Sequence, residues 1–177
     1  MGSETITRIR EATPGDAEFL TRMLLAALNW GEEEYTREQA LADPALAVYV
    51  EGWPRPGDLG VVAEDAAGEP AGAAWARRFT AEAPGDGFVA PDVPELAVAI
   101  EPAHRGRGLG PRLLNALLRR AEEAGVERIS LSVDDGNPAA RLYERLGFVT
   151  VGRGAGDEAD TMLLRLADRP RDPRGDA

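Results

Sequence analysis

Apolar residues along this chain switch repeatedly between alternating and helical spacing, and the switches mark out an αβ pattern. Residues 6–11 alternate and read as a first strand. Thr13 suits a helix N-cap and Pro14 a first helical position, and Leu20, Met23, Leu24, Ala27 and Leu28 follow at helical spacing, so a helix is predicted over 14–29. A shorter helix is predicted over 36–42, capped by Thr36. Residues 47–51 and 59–64 read as strands around a proline-containing turn at 53–58, and 71–79 as a further strand. The stretch 80–94 is rich in glycine, proline and acid, too long for a hairpin, and reads as a surface loop, with substrate contact as the alternative.

The second half repeats the alternation. A strand over 95–101 leads through a glycine-rich turn into a helix over 108–124, whose Leu109, Leu113, Leu114, Leu117, Leu118 and Ala121 share one face and which ends at Gly125. Residues 128–133 form another strand. Asn137 caps and Pro138 opens a short helix closed by Gly147, and 148–152 with 161–166 finish as a strand pair. From residue 168 the chain is charged and carries prolines, the composition of a disordered tail, so the domain is drawn at 1–167 and the tail at 168–177.

A chain of 177 residues with 44% apolar content is long enough to bury one core and is read as a single domain. No apolar stretch is long enough to cross a membrane and residues 1–10 lack the hydrophobic region of a signal peptide, so a cytoplasmic protein with no membrane partner is expected. The absence of cysteine excludes disulfides, thiolate metal sites and a cysteine nucleophile. With one histidine, His104, neither a histidine triad nor a multi-histidine metal site can form within one chain, and no metal is expected. The net charge of −11 argues against nucleic acid as a partner, so an anionic ligand must be met locally. The basic residues are all arginine, which reads as codon usage in a GC-rich genome.

One segment offers such a site. Residues 105–110, RGRGLG, lie between a strand and a helix start, where Gly106, Gly108 and Gly110 allow backbone amides to converge on a phosphate and Arg105, Arg107 and Arg112 add charge. A Walker loop would need lysine and then Ser or Thr after its last glycine, whereas Pro111 and Arg112 follow Gly110. A dinucleotide fingerprint would need glycine three residues after Gly108, where Pro111 stands.

Together with its neighbours the turn resembles another family. Arg105, Gly108 and Gly110 match the acetyl-CoA signature of the GNAT family of N-acetyltransferases, and Asn137, Leu142, Tyr143, Glu144, Gly147 and Phe148 match its second signature, with strong resemblance over about residues 94–152. The resemblance implies an α/β (α+β) fold of one domain, with a twisted, mostly antiparallel mixed sheet flanked by helices and splayed at the strand 95–100. It implies that Val98, Ala99 and Ile100 bind the pantetheine arm, that Gly106, Arg107, Gly108, Leu109, Gly110 and Pro111 hold the pyrophosphate beside Arg105, and that Asn137 and Tyr143 complete the donor site.

The implied activity is acetyl transfer from acetyl-CoA, the co-substrate, to a primary amine by direct attack in a ternary complex. An alkylammonium with a pKa of about 10 must lose a proton first, and the departing thiolate must gain one. Tyr143 matches the family's general acid. Glu95 stands where several members carry a base, with Glu101, Glu82, Asp86 and Asp92 as further candidates, and His104 reads as a surface or phosphate-side residue. Trp30 and Trp75 could line the acceptor pocket. The expected acceptor is a small-molecule or peptide amine, and a homodimer is plausible by resemblance. Two rivals stay open: a non-catalytic acyl-CoA-binding module, and an acyltransferase with another acyl donor or acceptor atom.

Overall fold

A computed structural model describes residues 6–32 and 34–171. Seven strands form one sheet in the order β1-β2-β3-β4-β5-β7-β6, namely β1 (Ile6–Glu11), β2 (Leu59–Asp65), β3 (Pro70–Arg77), β4 (Glu95–Ile100), β5 (Arg128–Asp134), β6 (Val149–Arg153) and β7 (Ala159–Arg165). Every neighbouring pair is antiparallel except β4–β5, which is parallel and registers only at Glu95 and Ser130. The sheet therefore opens between these two strands beyond Glu95. This is the mixed, splayed α/β architecture that the resemblance implied.

Two helical layers cover it. Helix α4 (Leu109–Glu123) crosses one face, and α5 (Ala139–Arg145) lies beside it; α1 (Ala17–Leu28), α2 (Arg37–Ala42) and α3 (Pro44–Ala47) occupy the other. Alternation along the strands divides the core accordingly. Val61, Ala74, Ala76 and Leu96 pack with α4, while Val62, Ala73, Trp75 and Ala99 pack with α1. Leu113, Leu114, Leu117 and Leu118 on α4 are fully buried, each contributing about 1.5–3 kcal/mol relative to exposure. Gly72 lets α4 approach β3 this closely, since a Cβ there would lie 3.1 Å from both Leu113 Cδ1 and the Ala99 carbonyl oxygen.

Three expectations need correction. The strand read over 47–51 does not form: Asp43 caps Pro44 through Ala45 N–H at 2.9 Å, α3 follows, and Glu51 N–H donates to the Ala47 carbonyl at 2.8 Å. Val48 and Val50 are buried and Tyr49 half-buried within this irregular segment, without a ladder. His104, read as a surface or phosphate-side residue, is buried. The packed chain also runs past residue 168, where the tail was drawn: Arg169 donates to Glu122 at 2.9 Å and to Asn115 at 3.1 Å. Residues 172–177 lie outside those described. No described helix is long and apolar enough to cross a membrane.

Candidate active site

The opening between β4 and β5 exposes one edge of β4. Glu101 N–H donates to the Ala71 carbonyl at 2.8 Å, which fixes the alternation of the β3–β4 ladder. Glu95, Ala97 and Ala99 therefore turn their backbone groups to β3, and Leu96, Val98 and Ile100 turn theirs to the opening. On the same alternation the Pro94 carbonyl meets Ser130 N–H at 2.9 Å, at the one residue pair where the two strands are in register. Of the three residues expected along the pantetheine arm, Val98 and Ile100 present backbone groups, whereas those of Ala99 are used in the sheet. Arg105 Nε donates to the Ile100 carbonyl at 3.2 Å and ties the turn to the strand end.

At the mouth of the opening the RGRGLG turn feeds α4. Gly106 and Gly108 have φ of 75° and 74°, left-handed values open to glycine, and Gly108 is the N-cap of α4 with no side chain capping the helix. The first amides of a 15-residue helix are left for a ligand, with the positive end of its dipole behind them. Pro111 sits in this first turn but has no N–H and donates nothing. A Cβ added to Gly110 would lie 3.5 Å from Leu142 Cδ2 and 3.6 Å from Ile100 Cδ1, so turn, strand and α5 form one wall. Arg105, Arg107 and Arg112 are exposed there.

Asn137 and Tyr143 face different tasks. The Asn137 carboxamide accepts the Ala139 N–H at 3.0 Å and turns the chain into α5, which starts one residue later than read, with Pro138 at its N-cap. Tyr143 is buried, packs edge-on against Phe148 at 6.1 Å, and its hydroxyl has no hydrogen-bond partner among the described residues. Burial pushes its pKa up to about 12, so the phenol holds its proton across the physiological range. Left-handed glycines, uncapped helix amides, a released strand edge and an unpartnered phenol together suit the diphosphate, amide and thioester groups of an acyl-CoA.

Glu95 occupies the point where the strands part, on the face of the sheet that packs against α1. Its side chain is buried beneath residues 85–87: Gly87 N–H donates to Oε1 at 3.0 Å, and the Tyr49 hydroxyl donates to Oε2. Burial pushes the Glu95 pKa up to about 7, against the two hydrogen bonds, which pull it down. Tyr49 in turn accepts Asp86 N–H at 2.9 Å, and its ring meets Phe79 edge-on at 5.3 Å. The loop that covers the carboxyl is pinned to β5: Ser130 Oγ donates to the Gly87 carbonyl at 2.8 Å, and Ser132 Oγ to the Asp86 carboxylate. The stretch read as a surface loop is thus exposed over 81–84 but packed at Gly85 and Gly87.

Two of the other acids considered as bases are paired elsewhere. Glu101 pairs with Arg22, Asp92 is exposed 3.8 Å from Arg128, and Glu82 is exposed. Trp75 is buried and donates to the Tyr49 carbonyl at 3.0 Å, so it holds the segment bearing Tyr49. Trp30 is 39% exposed and donates to Asp134 at 2.7 Å, bridging the end of α1 to the end of β5. Sequence reasoning missed Tyr49, whose neighbours imitate a strand, and Arg77, whose buried guanidinium donates to the Val48 and Glu51 carbonyls at 2.9 and 2.7 Å while pairing with Asp58 at 2.6 Å. Among the described residues no cluster of three or more His, Asp or Glu is placed to hold a metal.

A mixed sheet whose single parallel pair parts after one rung, with an uncapped helix start at the mouth, defines the N-acetyltransferase fold. The model of the acetyltransferase (GNAT) family matches residues 22–148, and the chain belongs to that family. A mycothiol acetyltransferase of Rhodococcus erythropolis is 33% identical over 151 residues, covering 82% of this chain and 47% of that protein. An L-methionine sulfoximine/L-methionine sulfone acetyltransferase of Pseudomonas aeruginosa is 37% identical over 94 residues, 52% of each chain. The chain spans about half the length of these two curated relatives, or less. A structure from Acinetobacter baylyi assigned as an acetyltransferase superposes with a TM-score of 0.69 at 26% identity, covering 99% of this chain and 100% of that one. Another from Salmonella typhimurium, solved with acetyl-CoA, gives 0.63 at 27% identity over 96% and 98%.

Proposed function

We propose that the protein is an acetyl-CoA-dependent N-acetyltransferase acting on a small-molecule amine. The observation that carries this reading is the hydroxyl of the buried Tyr143, without a partner among the described residues, in a wall whose other side offers the free edge of β4 and the amides at the start of α4. Acetyl-CoA, when bound, supplies an activated acetyl thioester. Gly106, Gly108, Leu109 and Gly110 would hold its diphosphate, Val98 and Ile100 its pantetheine amides, and a β4 N–H the developing oxyanion charge. The ammonium first loses one proton to Glu95; the free amine then forms its bond to the acetyl carbon as the carbon–sulfur bond breaks, the Tyr143 proton passes to the departing sulfur, and the second N–H proton of the nitrogen restores Tyr143. A carboxyl with a pKa of about 7 suits a base near neutral pH.

The acceptor class rests on the names of the relatives, which cite mycothiol and L-methionine sulfoximine or sulfone. Acetyl-CoA should raise the melting temperature, and thiol release over a panel of amines should show turnover. Tyr143→Phe should lower kcat about 100-fold while keeping the acetyl-CoA shift. No shift with acetyl-CoA or CoA would refute the reading, and a shift without turnover by any amine would favour a binding module. A homodimer is the expected assembly, supported by Val149 and Val151, 59% and 50% exposed on the edge strand β6, and sedimentation tests it.

A further inference from the structure

The Glu95 carboxyl is 3% exposed, and each of its oxygens already has a partner. The backbone at residues 85–87 lies directly on it. A Cβ added to Gly85 would fall 2.3 Å from Glu95 Oε1, and one on Gly87 would fall 2.6 Å from the Leu131 carbonyl carbon. Only glycine fits at 85 and at 87, and the segment leaves an amine no direct path to the carboxyl. Tyr49 is half-buried as a residue where Glu95 is buried, and its hydroxyl donates to Oε2 while accepting Asp86 N–H. A phenol oxygen so engaged retains a lone pair for one more N–H donor.

We propose, resting on the transferase reading above, that Tyr49 is a catalytic residue that relays the acceptor's proton to Glu95. The ammonium N–H gives its proton to Tyr49 Oη as the Tyr49 O–H proton moves to Glu95 Oε2. Tyr49 ends as it began, Glu95 ends neutral, and the amine gains a free lone pair. The surrounding charges fit this division. Asp86 faces the pair from the loop, with Ser132 of β5 bonded to its carboxylate. Arg77 of β3, opposite Glu95 in the ladder, turns its guanidinium to Asp58 and to the carbonyls of Val48 and Glu51. Burial and the neighbouring Glu95 carboxylate hold the Tyr49 pKa well above the ordinary phenol value, so Tyr49 passes a proton on without standing as a phenolate.

The test compares wild type, Tyr49→Phe, Glu95→Gln and the double variant in thiol release, with acetyl-CoA thermal shifts on each. The relay predicts a drop in kcat of about 100-fold or more for either single variant, an unchanged acetyl-CoA shift, and little further loss in the double variant, since the two groups act as one unit. The acid limb of the kcat/KM profile near pH 7 should vanish in both. Full turnover by Tyr49→Phe with the wild-type pH profile overturns the relay, as do losses that multiply in the double variant. If Tyr49→Phe fails to fold, 3-fluorotyrosine at position 49 keeps the ring and hydroxyl with a more acidic phenol; a kcat change of about twofold or more supports the relay, and an unchanged kcat overturns it. Wild-type protein that binds acetyl-CoA yet acetylates no amine refutes the transferase reading and the relay together.

Discussion

The two sides of strand β4 are built by opposite means. Toward β5 and α4 the proposed donor side consists almost wholly of backbone: a strand edge released after Glu95, two left-handed glycines and the open end of a helix. Toward α1 the proposed acceptor side consists of side chains drawn from distant segments, with Tyr49 from the stretch after α3, Glu95 from β4, Asp86 from the loop, and Ser130 and Ser132 from β5. Backbone sites recognise groups common to every member of the family and can be kept while side chains change. The acceptor side can therefore vary its substrate without disturbing donor binding, provided its segments are fastened in place.

Arg77 does most of that fastening, and replacing it breaks the comparison hardest. It is 1% exposed, bridges Asp58 with two hydrogen bonds, holds carbonyls on both sides of Tyr49, and stacks 5.9 Å from the Trp53 ring. Arg77→Met would leave Asp58 buried without its cation, at a cost of about 3–5 kcal/mol read from urea denaturation. Turnover should fall further than the acetyl-CoA shift does in whatever fraction stays folded. Equal losses on both sides would mean that the two regions are not separately built.

The same contrast explains what was legible in the sequence. The donor side could be read because glycine spacing, a proline near a helix start and an Asn-Pro cap are local chemistry written in consecutive residues. The splayed sheet came from resemblance to a family rather than from periodicity, because nothing in the alternation of residues 95–100 says which neighbour is parallel. Tyr49 was hidden for a different reason. Val48, Tyr49 and Val50 form a β-branched and aromatic run of the kind strands favour, and what prevents one is Asp43 capping Pro44 together with an arginine 29 residues after Val48 that takes its carbonyl. His104, between Ala103 and Arg105 and beside an exposed turn, likewise gave no local sign of burial.

A smaller effect separates the roles of Glu95 in stability and in turnover. Its folded pKa of about 7 exceeds the ordinary glutamate value of 4.5. Between these two values the unfolded chain has released the proton while the folded chain still holds it, so unfolding releases a proton and stability falls as pH rises through this window. Glu95→Gln removes the titration. Relative to wild type its stability should rise between pH 4.5 and pH 8, by at most about 3 kcal/mol, even as its turnover collapses. A difference in melting temperature that stays flat from pH 4.5 to 8 would show that the carboxyl is already ionised throughout and that the acceptor side is wetter than its packing indicates.

The mildest test falls on the donor side. Gly108 has φ of 74°, and an added Cβ would meet no atom within 4 Å, so Gly108→Ala meets backbone strain without a clash. That strain costs about 1 kcal/mol. Since Gly108 is also the N-cap of α4, any relaxation of φ swings the amides of Leu109 and Gly110 away from the position they share with the turn. The variant should therefore bind acetyl-CoA more weakly, by roughly fivefold for about 1 kcal/mol, while kcat at saturating donor and its pH profile stay at wild-type values. A change in the pH profile would mean that the turn reaches the proton-transfer groups across β4, and the division of labour between the two sides of the strand would fail.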